Sequence, residues 1–178
     1  MIQFTGGFRK GKSVFILLMA ALVSCQEVSF REPQPKGIKQ LKAVPAELQG
    51  SYSVKTDDTT MDTIRVAGNG FSLQGQSAGD LQELVLSDSL VLKEYRGYYF
   101  LSIYDKPYWS VRAVRKTKAG DLQVLYMDKE GVSFNDYLLQ LSREIKVDSI
   151  QNDYETHYLI DPDARQLMNL VKEGYFNG

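Results

Sequence analysis

The 178-residue chain predicts a mainly β fold: an antiparallel β-meander forming a small barrel or sandwich, followed by a C-terminal α-helix. Three observations carry this. Apolar and β-branched residues alternate with polar ones in short runs, the period of a strand with one covered face. Turn residues recur between the runs at Gly68-Asn69-Gly70, Arg96-Gly97, Asp105-Lys106-Pro107 and Lys118-Ala119-Gly120-Asp121. Runs joined so tightly pair as antiparallel neighbours. Clear helical spacing comes only near the end, where Leu167, Leu170 and Val171 share one face.

The chain opens with a leader. Met1 to Lys12 carries Arg9, Lys10 and Lys12 and no acid, and an apolar run from Val14 to Val23 and the small Ser24 follow. A basic flank, a short apolar stretch and a small residue mark a secretory signal over residues 1–24. The run is shorter than the roughly 20 residues a membrane-spanning helix needs. Leu22-Val23-Ser24-Cys25 resembles the lipobox of bacterial lipoproteins. That resemblance implies cleavage before Cys25, a thioether-linked diacylglycerol on its sulfur and an acyl chain such as palmitate on the new amine. The membrane, gripped through these chains, is then the first expected partner. Gln26, rather than an Asp that would retain the protein at the inner membrane, directs the expectation to the outer membrane of a cell envelope.

Residues 25–44 hold Pro33, Pro35, Gly37 and several charges without sustained periodicity, which reads as a flexible tether behind the lipidated cysteine. A single β-rich domain is expected over 45–178. Its opening Pro45-Ala46-Glu47-Leu48-Gln49-Gly50-Ser51-Tyr52 is similar to the start of small envelope lipoproteins, a likeness that transfers no functional residue.

Within the domain, Asp62 to Val66 and Phe71 to Leu73 alternate around Gly68-Asn69-Gly70 as a hairpin. Gln74 to Gly79 reads as a loop, and Asp80 to Leu86 fits either a strand or a short helix. Ser89 to Tyr95, Tyr98 to Tyr104, Tyr108 to Lys116 and Leu122 to Met127 form the meander. The second of these is apolar or aromatic on both faces, as in a central strand. Phe134, Leu138 and Leu141 space as a helix, and Ile145 to Ile150 with Tyr154 to Ile160 form a last strand pair. Asp161 is the expected helix cap, with Pro162 at the first helical position, Asp163 at the positive end and Gly174 as terminator.

Composition narrows the function classes. Without the leader's three cations, 18 basic face 22 acidic residues, a balance of −4. That argues against nucleic acid as a partner; Arg112, Arg115, Lys116 and Lys118 read as a solvated hairpin face. Cys25 is the sole cysteine, and once acylated it provides no disulfide, thiolate ligand or nucleophile.

No residue set calls for catalysis, a cofactor or a metal. His157 shares a strand face with Glu155, but no Gly-x-Ser-x-Gly or Ser-x-x-Lys motif accompanies it. Asp57, Asp58 and Asp62 lack the spacing of a calcium loop and read as an acidic turn. Gly68, Gly70, Gly75 and Gly79 precede no Gly-Lys-Ser/Thr ending and are turn formers.

Aromatics are the remaining signal. Tyr95, Tyr98, Tyr99, Tyr104, Tyr108 and Trp109 crowd one strand pair and could line a site for an apolar molecule or a glycan, although such residues also fill β cores. The expectation is a non-enzymatic, lipid-anchored envelope protein that acts by protein binding or structural support. A lipocalin-like or glycan-binding domain using those aromatics is the alternative.

Overall fold

The computed structural model describes residues 28–55, 61–74, 82–129, 131–151 and 156–178. The leader, Cys25, Asp57, Asp58, the loop after Gln74 and Glu155 lie outside these residues. In chain order the elements are β1 (Val28–Phe30), β2 (Gly50–Lys55), β3 (Met61–Ala67), β4 (Gly70–Gln74), β5 (Gln82–Val85), β6 (Leu90–Tyr95) and β7 (Tyr98–Asp105). Then come β8 (Tyr108–Lys116), β9 (Leu122–Met127), α1 (Phe134–Glu144), β10 (Asp148–Gln151), β11 (Thr156–Ile160), α2 (Ala164–Lys172) and β12 (Phe176–Asn177).

These build two sheets. The larger has eight strands among the described residues, ordered β10-β11-β1-β8-β7-β6, with β9 also on β8 and β12 on β9; the smaller runs β2-β3-β4-β5. The meander β6-β7-β8-β9 is antiparallel throughout. The barrel alternative is corrected: the path of the large sheet ends at β10 and β6 without closing. The arrangement is sandwich-like, with the two sheets face to face and the helices on the outer face of the large one.

Alternation along the central strands separates the two cores. Phe100 of β7 and Val111 and Ala113 of β8 point towards Tyr137 and Leu141 of α1 and Leu167, Met168 and Val171 of α2. Tyr99, Leu101 and Val114 point the other way, to Val66, Ile64 and Phe71 of the small sheet. This double covering is why β7 carries apolar residues on both faces.

The tether expected over residues 25–44 is also corrected: the folded part includes residues from Val28 onward. Val28 and Phe30 have no exposed surface. β1 lies inside the large sheet, parallel to β11 (Val28 opposite Tyr158, Phe30 opposite Ile160) and antiparallel to β8 (Phe30 opposite Trp109). The following segment covers β6 and β7. Gln34 is fully buried and its amide donates to Ser102 Oγ at 2.9 Å. The Lys93 ammonium, 8% exposed, donates to the Pro33 and Pro35 carbonyls at 2.7 and 3.0 Å. Burial holds its pKa below the usual lysine range, with Glu32 acting in the opposite direction. Val44 is buried against the small sheet. Three strand residues are too few to show a period, and the prolines here cap a sheet face instead of spacing a linker.

Two glycines answer a steric demand. A Cβ on Gly70 would run into the Leu84 carbonyl oxygen and lie 2.9 Å from Val85 Cα, so glycine lets β4 and β5 close up. Gly174, at φ +77°, ends α2 in the left-handed region and turns Tyr175 and Phe176 back into the core.

The expected cap of α2 is off by two residues. Asp163, not Asp161, is the N-cap: its carboxylate accepts from the amides of Arg165 and Gln166 at 2.8 and 2.7 Å. The Gln166 side chain in turn accepts from the Asp163 amide at 2.9 Å, completing a capping box. Asp161 instead receives the Lys36 ammonium at 3.0 Å, fastening the N-terminal segment to the end of β11.

Candidate functional site

The six aromatic residues do not converge. Tyr95 and Tyr98 face each other across the β6–β7 turn, with the Arg96 guanidinium 5.2 Å from the Tyr95 ring. The Arg115 guanidinium lies 5.5 Å from the Tyr98 ring and donates to its hydroxyl at 3.0 Å. Tyr99 points into the opposite core. At the far end of β7, Tyr104 packs on Trp109 with ring centroids 5.0 Å apart, and Tyr108 packs edge-on to His157 at 5.0 Å. Tyr98 and Tyr104 are six residues apart on one strand, about 20 Å at roughly 3.3 Å per residue. They divide between two ends and two faces of the sheet.

His157, half-buried on β11, is part of the Tyr108 contact. Among the described residues no group of three His, Cys, Asp or Glu side chains is placed to hold a metal ion.

The concave feature lies elsewhere, between the sheets. Leu92, Tyr99, Val44, Leu48 and Val66 hold the sheets together along the β6–β7 side. Towards β9 the sheets part, as twisted sheets do at their corners, and leave an apolar cleft. Its first hollow, about 250 Å³, is walled by Leu101, Val114, Leu122 and Val124 of the large sheet and Ile64, Val66, Phe71 and Leu84 of the small one. Arg112 is the charged residue in this lining; its guanidinium lies 5.8 Å from the Tyr126 ring. A second hollow of about 440 Å³ shares Ile64, Leu122 and Val124 and extends past Tyr52 to the Ala119-Gly120-Asp121 turn. That is within the size range of small-molecule sites. Two of the apolar lining residues stay in solvent: Leu84 and Val124 are 43 and 38% exposed.

None of the six aromatics lines either hollow. The cleft residues were legible as strand residues but not as a site, because the distance between two sheets leaves no local pattern. The available signal was β9. Leu122, Val124 and Tyr126 alternate with Leu125 and Met127, so this strand is apolar on both faces although only part of its second edge is paired, by β12.

Below the cleft's closed side, the Tyr99 hydroxyl donates to Glu47 Oε1 at 2.6 Å. This bond holds the Glu47 carboxyl below its ordinary range, while burial and then the Glu47 bond raise the Tyr99 pKa. Asp148 is also lowered, by hydrogen bonds from Lys146 and then Arg31. A depressed carboxyl stabilises the fold above its unfolded pKa, and the contribution is lost as pH falls through the folded value. Stability should therefore decline on acidification below the ordinary carboxylate range. Tyr99→Phe should make that decline shallower, as read from urea midpoints measured across the acid range; an unchanged acid slope would count against the Glu47 assignment.

No protein-family model, curated protein or solved structure matches the chain. Among the described residues no helix is long and apolar enough to cross a membrane.

Proposed function

We propose that this chain is a lipid-anchored protein of the cell envelope, on the outer membrane, which acts by binding another envelope protein or by structural support. The observation that carries the reading is the sequence Leu22-Val23-Ser24-Cys25 at the end of a basic and then apolar leader. Acyl chains on Cys25 would supply membrane affinity at about 0.8 kcal/mol per buried methylene, and two or more chains give stable anchoring. Cys25→Ser is expected to move the protein from the membrane to the soluble fraction while its urea midpoint stays unchanged. A variant that still sediments wholly with membranes would refute the anchor.

A second reading, an apolar-ligand-binding domain, is favoured by the cleft and not by the aromatics of residues 95–109. The smaller hollow is lined by apolar side chains of both sheets, and the larger, which adds Ser51, Ser53 and Asp121 to the shared apolar wall, has the volume of a small-molecule site. Val124→Asp, which puts a carboxylate on a wall common to both hollows, should weaken binding of an anilinonaphthalene sulfonate probe about tenfold. Unaltered probe affinity would remove the cleft from consideration.

A further inference from the structure

We propose that the domain rests directly on the bilayer surface, with the place where β1 enters the large sheet held close to phospholipid headgroups. This rests on the anchor reading above and adds where the domain sits once Cys25 is acylated.

The argument is one of reach. Val28 is fully buried and held in register between two strands, so it moves only with the whole domain. Three residue steps separate it from Cys25, and a fully extended chain gains at most about 3.6 Å per step, or about 11 Å. Acyl chains on Cys25 fix that residue at the boundary between hydrocarbon and headgroups. The headgroup layer takes up about 5–8 Å on each side of the bilayer. Only a few ångströms of slack are left, less than the diameter of one helix. A free 20-residue tether would instead hold the domain roughly 22–27 Å away on average.

The chemistry beside that entry suits the contact. β8 runs on past β1, and from Arg112 onward β9 takes over the same edge, with Tyr126 directly opposite Arg112. The cation and the half-exposed phenol lie 5.8 Å apart, centre to centroid. Tyrosine favours the headgroup level, where its ring and hydroxyl are both satisfied, and arginine favours lipid phosphates. Lys129 follows at the end of β9, its ammonium 5.4 Å from the Tyr175 ring. Acids also lie among these neighbours: exposed Asp128 next to Lys129, and Glu144 and Glu173 near Tyr175. A protein ligand for the same surface is the competing occupant.

The test uses the acylated full-length protein, purified from membranes and reconstituted into phosphatidylcholine–phosphatidylglycerol vesicles that carry a dansyl headgroup label. Trp109, the chain's only tryptophan, lies opposite Phe30 of β1 and serves as energy donor. A comparison variant carries twenty Gly/Ser residues inserted before Val28. Its near-ultraviolet circular dichroism reports whether the fold is kept, and protease cleavage of the insert returns the same domain in soluble form. Transfer in the parent should exceed that in the inserted variant by at least about twofold, as expected when an added flexible chain lets the domain stand off. Equal and weak transfer from both proteins, each floating with vesicles and carrying acyl mass on Cys25, overturns the inference and leaves the anchor intact. If the inserted variant does not fold, parent transfer no stronger than that from the unacylated Cys25→Ser protein mixed with the same vesicles has the same force. A parent that neither floats nor carries acyl mass removes the anchor reading, and this inference with it.

Discussion

A chain that begins at Pro45 is expected to lose cooperative unfolding altogether, whereas one that begins at Glu27 should unfold as the full protein does. If residues up to Val44 were a tether, the two would behave alike. The structure separates them because, among the described residues, β10 and β11 join the rest of the large sheet through β1 alone. Deletion would leave Leu159 and Ile160 of β11 and Val111 of β8, all buried, facing solvent or a gap. Re-exposing three such side chains costs about 1.5–3 kcal/mol each, against a total stability of about 5–15 kcal/mol for a domain. The entropy saved by not ordering the deleted segment cannot offset this, since the exposed groups belong to the part that remains. The measurement is a urea titration followed by near-ultraviolet circular dichroism. A sigmoidal transition in the Pro45 chain with the parent's midpoint would show that β1 is dispensable.

The second large effect is expected at Tyr137. This residue of α1 is 1% exposed, and its ring meets Phe134 at 6.3 Å and Tyr175 at 6.0 Å between centroids. Its hydroxyl donates to the Tyr175 carbonyl at 3.1 Å. It thereby fixes α1 to the segment that leaves α2 and enters β12. Tyr137→Ala should destabilise the protein by about 3–5 kcal/mol, the usual range for emptying an aromatic core site. Tyr137→Phe keeps the ring and orphans a buried carbonyl, which should cost about 1–3 kcal/mol. Urea midpoints for the two variants give both numbers. Equal losses would mean that the hydroxyl bond, not ring packing, dominates the site.

The meander was legible because its signals are local. Each strand from Leu90 to Met127 shows its period within a few residues, and each turn announces itself with Gly, Pro or a polar run. The same holds for α1 and for the apolar face of α2. The cap of α2 was misplaced for a recognisable reason: two aspartates flank Pro162, and only Gln166, three residues after Asp163, distinguishes them as a capping box. β1 was missed because its partners are remote. Val28-Ser29-Phe30 gains its identity from Tyr158, Leu159 and Ile160 at the other end of the chain. The cleft was missed for a different physical reason, since alternation tells which face of a strand is apolar and not how far away the facing layer lies. The aromatic cluster misled because closeness along a strand pair was read as closeness in one surface, while the pleat and the strand length disperse it.

The position of β1 also sets the order in which the molecule can be completed. Its parallel partner ends at Ile160, so β1 has no finished place until a segment about 130 residues later has emerged. Contacts between such distant segments form slowly, because loop closure must come before any gain from pairing. Meanwhile β8 and β11 present uncovered edges to other chains. During synthesis from the N-terminus, β1 would therefore wait for β11. The interval between them is when a bound chaperone, or a second copy of the chain, would find the sheet open.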